Sequence, residues 1–209
     1  MDSTAGEDKR YHPNSYAEIV FPNSLAEQQV NDWIRQKGKR NLILVGGFGS
    51  GKTAVAELLP KLREEAMGYS YDGGFQPTAI ICRSKKFSRQ TDLLEHTLTV
   101  ATFSGSGKRY LVFNEFDAYN KTQQQPQLRT ALDTANASFI LTSNTISKID
   151  EGIVSRCEVI EWPMPPFAAA LPRLLTLAMQ LGKVVSNADL ESKVYTTTWR
   201  DTLSALERF

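Results

Sequence analysis

The chain of 209 residues carries 24 basic and 23 acidic side chains, and a net charge of +1 excludes a surface built throughout for nucleic acid or an anionic membrane. No apolar run approaches the roughly 18 residues that span a bilayer, and the opening MDSTAGEDKR lacks the apolar core of a secretory signal. Cys82 and Cys157 match no zinc spacing and read as small buried hydrophobes in a reducing compartment, which implies a cytoplasmic protein, or a nucleoid or nuclear one if the source is eukaryotic.

In chain order, residues 1–9 read as a flexible N-terminus. Ser24 is expected to cap a helix over 24–36, with Glu27 as its partner in a capping box. An apolar strand over 41–45 follows, then a glycine-rich turn and a helix whose Val55, Leu58, Leu59 and Leu62 line one face. Further strands are predicted over 77–82, 109–113, 138–142 and 157–162, with helices over 92–103 and 123–135, the latter beginning near Pro126. This alternation is that of an α/β fold with a parallel five-stranded sheet flanked by helices. The run PMPPF after Trp162 reads as a linker and sets a boundary near residue 163. Beyond it the pattern is helical only, with Leu171, Leu174, Leu175, Ala178 and Leu181 in register, Gly182 as a stop and Asn187 as the next cap.

The stretch NLILVGGFGSGKT, residues 41–53, is a strand running into G-x-x-x-x-G-K-T. Backbone N–H groups of Gly46, Gly47, Phe48, Gly49, Ser50 and Gly51 can curl around phosphate oxygens, Lys52 can reach the terminal phosphates, and the Thr53 hydroxyl can face Mg2+. The helix that starts there adds its positive end. Next, YLVFNEFD (residues 110–117) delivers polar groups at the carboxyl end of a strand, with Glu115 placed to activate water. Asn114 stands where an aspartate ordinarily orients the metal's waters, and it brings no negative charge. FILTSN (residues 139–144) ends with Asn144 at the same sheet edge, as a group aligning the water or as an ordinary cap. RSKKFSRQ (residues 83–90) sets Arg83, Lys85, Lys86 and Arg89 around Phe87, as a nucleic-acid backbone contact or as a solvated loop.

Taken together, RYHPNSYAEIVFPNS, VGGFGSGKT, LVFNEFD, the QLR segment, FILTSN and VSRC resemble the AAA+ P-loop NTPase module of sliding-clamp loaders, as in replication factor C small subunits and the related phage ATPase subunit. The resemblance implies an ATPase core over residues 10–162 and a small helical lid domain over 163–209. It implies that Arg10 and Tyr11, in RYHP, wrap the adenine, with residues 19–21 lining the base. Lys52, Thr53, Asn114 and Glu115 would serve ATP and Mg2+, and Asn144 would be the first sensor. Arg156 would be a finger reaching the ATP of a neighbouring subunit, or else a structural arginine paired with Asp150 or Glu151. Arg200 would be the second sensor, or a solvated face residue, and Arg129 would link the DNA side to the catalytic glutamate.

The implied function is that of a clamp-loader subunit acting as a homo- or hetero-oligomer on primer-template DNA and a sliding clamp, with no membrane. The alternatives are another AAA+ remodeller, such as a helicase loader or transposition regulator, or a nucleotide-binding subunit with weak or no hydrolysis because of Asn114. The family's collar would follow the lid, and the chain ends at Phe209 before one, which implies a truncated form or a minimal module that assembles by another route.

Overall fold

The computed structural model describes residues 9–69, 78–81, 105–122, 125–134 and 136–209. Five parallel strands, β1 (Asn41–Val45), β2 (Thr78–Ile81), β3 (Arg109–Asn114), β4 (Ala137–Ser143) and β5 (Cys157–Glu161), lie in the order β2-β3-β4-β1-β5. All four pairings are parallel, with Leu42 opposite Ile140 on one side of β1 and Glu158 on the other. The order puts β4 between β1 and β3. The predicted helix over 92–103, Cys82 and the basic run from Arg83 to Arg89 lie outside the described residues.

Period-two alternation explains why the central strands are apolar throughout. Leu42 and Leu44 of β1 join Val112, Ile140 and Ile160 on one face, under α1 (Ser24–Ile34) and α2 (Lys52–Ala66). Ile43 joins Leu111, Phe113, Phe139 and Leu141 on the other face, under α3 (Pro126–Thr134) and the short α4 (Glu151–Val154). Fully burying a side chain of this kind contributes roughly 1.5–3 kcal/mol. The sheet edge that carries the polar strand ends is therefore set by two apolar layers. Cys157, a free thiol, is buried in the second layer as expected, and burial pushes it up to about 12.

Two predicted caps move by one residue. Asn23 rather than Ser24 caps α1, accepting from the Ala26 N–H at 2.8 Å, while Glu27 takes the Tyr16 hydroxyl instead of closing a capping box. After Glu161 the chain forms α5 (Phe167–Gln180), α6 (Asn187–Asp189, continued by a π turn over Leu190–Val194) and α7 (Trp199–Arg208). Gly182, at φ 68°, ends the run after α5 as expected, but Ser186 rather than Asn187 caps α6. These helices bury Leu174, Leu177, Leu190, Val194 and Leu206 in a third apolar cluster.

The segment before α1 spans two cores. Ile19 is buried in the sheet cluster, whereas its neighbour Val20 and Tyr11 pack on the helical one. The expectation that residues 1–9 are flexible falls on residues outside the described ones except Lys9, which opens a 3-10 turn and lies 3.6 Å from Glu57. Among the described residues no helix is long and apolar enough to cross a membrane.

Candidate nucleotide site

The phosphate loop leaves β1 under backbone control. The Gly46 N–H donates to the Ser143 carbonyl at 3.1 Å, and the Val45 carbonyl accepts the Trp162 N–H at 2.6 Å. A Cβ on Gly46 would run into the Trp162 carbonyl, so the approach admits only glycine. Gly49 and Gly51 sit at φ 70° and 90°, the left-handed region that lets the loop turn its N–H groups inward. Gly51 precedes α2 and supplies no side-chain cap, which leaves the helix's first N–H groups to an anion.

Lys52 is 7% exposed and bends over this loop. Its ammonium donates to the Gly46 and Gly47 carbonyls at 2.7 and 2.6 Å and to Asn144 Oδ1 at 3.3 Å. Burial lowers its pKa to about 8, against the opposing pull of Asp117 and Glu115. A phosphate is the natural partner for an ammonium held this dry, and Asn144 stands beside it as the sequence implied.

At the end of β3, Asn114 is 5% exposed and its Oδ1 has no hydrogen-bond partner among the described residues. Glu115 follows at φ 55°, a left-handed backbone that costs a non-glycine residue energy, and its N–H is fixed by Thr142 Oγ1 at 3.0 Å. Because β4 separates β1 from β3, the strands that lead into the phosphate loop and into Glu115 run about two strand spacings, ~9.6 Å, apart. That interval admits a phosphoryl group and a water, and Asn144 emerges from the strand between. A glycine cradle, a desolvated lysine, the Thr53 hydroxyl and an orphaned buried amide oxygen together fit a nucleoside triphosphate with Mg2+.

A cavity of about 550 Å³ joins the loop residues from Phe48 to Thr53 with Glu115 and Asn144, while Gly46, Gly47 and Asn114 lie outside its lining. Lys52, Thr53, Glu115 and Asn144 line one wall, while Tyr11, Arg173, Trp199, Arg200 and Glu207 line the other. The loop and α7 touch directly: the Trp199 N–H donates to the Gly49 carbonyl at 2.8 Å, and a Cβ on Gly51 would lie 3.2 Å from the Trp199 ring. Thr198 caps α7 by accepting from the Asp201 N–H at 3.1 Å, and Trp199 and Arg200 of its first turn line the cavity. At the far end, Glu207 accepts from the Arg10 guanidinium at 3.1 Å and from the Tyr11 hydroxyl. Arg173 pairs with Glu18 at 2.8 Å.

Of the residues expected at the base, Tyr11, His12, Pro13 and Val20 line the cavity, whereas Ile19 is buried in the sheet core and Phe21 packs on Trp162. Arg10 lies at the rim, on Glu207, rather than in the lining. Phe48, at the loop tip, is 71% exposed. Sequence reading missed Trp199, Glu207 and the Arg173–Glu18 pair. The T-x-x-D spacing at Thr198 signals the start of α7, but no local pattern announces the other contacts.

Arg156 does not line the cavity. Neither expected carboxylate holds it: its Nε pairs with Asp133 at 2.7 Å, and its Nη1 donates to the Gly152 carbonyl at 2.8 Å. Asp150 is already taken, in a two-pronged pair with Arg129 that holds its carboxyl below the usual range. Arg129 and Asp133, one turn apart on α3, thus tether Asp150, which caps α4, and Arg156, two residues beyond its end. A Cβ on Gly152 would fall 2.7 Å from Arg129 Nε, so the tether needs the glycine.

A phosphate loop on β1, with β4 inserted before the strand that bears the acid, defines a P-loop NTPase fold. The chain belongs to the AAA family, the ATPase family associated with various cellular activities, whose model matches residues 42–163, more than half of its length. It is similar to the replication factor C small subunit of Archaeoglobus fulgidus, with 26% identity over 95% of this chain and 62% of that protein. It is likewise similar to the sliding-clamp-loader large subunit of Escherichia phage RB69, with 24% identity over 88% of this chain and 55% of that one. The chain therefore spans between half and two thirds of these relatives. In fold it resembles a RuvB P216G mutant from Thermotoga maritima, with a TM-score of 0.72 and 13% identity over 94% of this chain and 65% of that one.

Proposed function

We propose that the chain is the ATP-binding and ATP-hydrolysing module of a sliding-clamp loader subunit, working as an oligomer on primer-template DNA. The carrying observation is that Lys52, Thr53, Glu115, Asn144 and Arg200, distant in sequence, line one cavity of about 550 Å³. In this reading Lys52 and the loop amides hold the phosphates, Thr53 and Asn114 serve Mg2+, and Glu115 takes a proton from the attacking water. When bound, the metal neutralises phosphate charge. Asn144 aligns that water, and Arg200 contacts the terminal phosphate from α7, so that residues 163–209 act as a lid over the core of residues 10–162. Adenine rests between Tyr11, His12 and Val20.

Arg156 acts in a neighbouring subunit's site. Its position outside its own cavity supports this assignment, and its pairing with Asp133 keeps the guanidinium aimed while it waits. Such a finger is typically worth about 10³- to 10⁵-fold in turnover in related NTPases. The similarity to replication factor C small subunits supports the clamp as client, and Arg83, Lys85, Lys86 and Arg89 are the proposed phosphate contacts on DNA.

Sizing the protein with a non-hydrolysable ATP analogue, with and without primed DNA, tests the assembly. Growth from monomer to a larger ring or spiral is expected, and a persistent monomer removes the role of Arg156. ATPase assays with primed DNA plus a clamp, against a helicase or transposase, test the client. The uncharged Asn114 favours a second reading, a subunit that binds ATP and lends Arg156 to an active neighbour. Tight binding with no turnover, even with DNA, selects that reading.

A further inference from the structure

We propose that the chain carries a second anion site, a pocket at the sheet edge opposite the nucleotide cavity, where Arg40, Arg63 and Lys108 receive one phosphate group. The pocket has a volume of about 230 Å³, and Gln36 and Ser138 line it together with the three cations. In a parallel sheet the amino ends of the strands share one edge. Arg40 leads into β1, Lys108 leads into β3 and Ser138 lies at the start of β4, while Arg63 comes from the last turn of α2. Ser138 shares a face with Ile140 by period-two alternation, and that is the face α2 covers.

Arg63 is the residue that calls for a ligand. It is 4% exposed, and its guanidinium lies over the Trp33 ring at 4.2 Å. Among the described residues its one hydrogen bond runs from Nη1 to the Arg40 carbonyl at 3.3 Å, and its Nε is enclosed with no partner. A guanidinium carries five N–H donors, and burying one with a single long bond is costly unless an anion meets the rest. Neutral acceptors position the other two cations: Arg40 Nη2 donates to the Leu132 carbonyl, and the Lys108 ammonium donates to Gln36 Oε1 at 2.7 Å.

The three charges crowd one another. Burial holds Arg63 below its ordinary pKa and Arg40 pushes the same way, while burial and then Arg63 lower Lys108. Glu64 opposes both shifts, but its carboxylate already accepts from the Tyr110 hydroxyl at 2.7 Å and from the Ser106 N–H and hydroxyl at 2.9 and 2.7 Å. Glu158 lies at the rim, 3.8 Å from where a Cβ on Gly38 would stand. Neither acid is in the lining, which holds three positive charges and no negative one. That suits a doubly charged phosphate, whose oxygens an arginine fork matches. The volume falls below the roughly 300–1,000 Å³ of pockets that enclose a whole ligand, so the phosphate enters without any nucleoside that carries it.

Calorimetry of inorganic phosphate, titrated at constant ionic strength into the full chain and into its Lys52→Ala variant, tests the site, with thermal melts as the check on folding. Lys52→Ala removes the ammonium of the phosphate loop, so binding that survives in it belongs to the second pocket, whether or not the first takes ATP. A Kd of about 1 mM or tighter is expected there. Adding Lys108→Gln should weaken it about tenfold, and so should Arg63→Lys, which keeps the charge but loses the fork. Lys37→Gln, at an exposed neighbour outside the lining, should change it less than about twofold.

If Arg63→Lys does not fold, Lys108→Gln and Arg40→Gln decide. Absence of binding in Lys52→Ala, or binding indifferent to the pocket's cations, overturns the proposal. A 5′-phosphorylated dinucleotide, compared with its unphosphorylated form, distinguishes the source of the phosphate. Binding that needs the end phosphate and weakens with Lys108→Gln supports the site as a holder of nucleotide ends, and binding of inorganic phosphate alone supports it as a site for the free anion.

Discussion

The two walls of the cavity are held in different ways. The sheet wall stands on Leu42, Ile43, Leu44, Phe139, Ile140 and Leu141, all 0% exposed and packed on both faces. The facing wall, made of α5, α7 and the segment before α1, packs mainly in its own cluster, and beyond Ile19 and Phe21, which that segment lends to the sheet core, it meets the sheet wall through polar contacts. These include Trp199 N–H to Gly49 at 2.8 Å and, within the wall itself, the exposed Arg10–Glu207 pair. An exposed ion pair of that kind contributes about 0–1 kcal/mol. One wall therefore fixes where the phosphates sit, while the other can respond to them.

Substitutions on the two walls should divide accordingly. Lys52→Ala, on the sheet wall, should weaken ATP binding on the order of 100-fold, the loss of two charge-assisted hydrogen bonds at about 1.5 kcal/mol each, measured by calorimetry. The free variant should melt no lower than the parent at pH 7, because it removes a desolvated ammonium. With a native pKa of about 8, below its ordinary 10.5, Lys52 leaves the unfolded state binding more protons between those values. Its contribution to the stability of the free protein thus rises with pH through that window.

Gly46→Ala should cost about 1–3 kcal/mol of folding stability, seen as a lower melting temperature, because its Cβ meets a backbone carbonyl that cannot move aside. On the facing wall, Arg200→Ala should reduce the preference for ATP over ADP roughly tenfold with little change in melting. Equal losses of stability on both walls would erase the proposed division. Glu207→Ala should shift stability by less than about 1 kcal/mol and speed nucleotide release a few-fold, read by stopped-flow. The smallest signal is protonic: at pH 8, nucleotide binding should draw in roughly half a proton as Lys52 charges fully, seen by calorimetry in buffers of different ionisation enthalpy.

The sheet wall was legible from the sequence because its information is local. Strand 41–45 was bounded correctly by its apolar run, and the glycines of the loop by the turn they must make. Strand ends beside Asn114 and Asn144 were placed to within a residue. The facing wall was less legible, since Glu207 meets Arg10 and Tyr11 across nearly the whole chain. Arg156 illustrates the limit: nearby Asp150 and Glu151 were the reasonable partners by sequence, but Arg129 claims Asp150, and Asp133 on α3 takes Arg156. Cap positions slipped by one where asparagine or serine stood next to an equally good capper, as at Asn23 and Ser24.

The contact between Trp199 and the phosphate loop has a practical consequence. Trp33 and Trp162 are each 1% exposed inside the sheet core, whereas the indole of Trp199 lies against Gly51 at the mouth of the cavity. The molecule thus carries an intrinsic fluorophore at the seam between the two walls, with the indole of Trp33 shielded away from the cavity and the buried Trp162 beside it. Emission from an unlabelled sample can follow the opening and closing of that seam in real time.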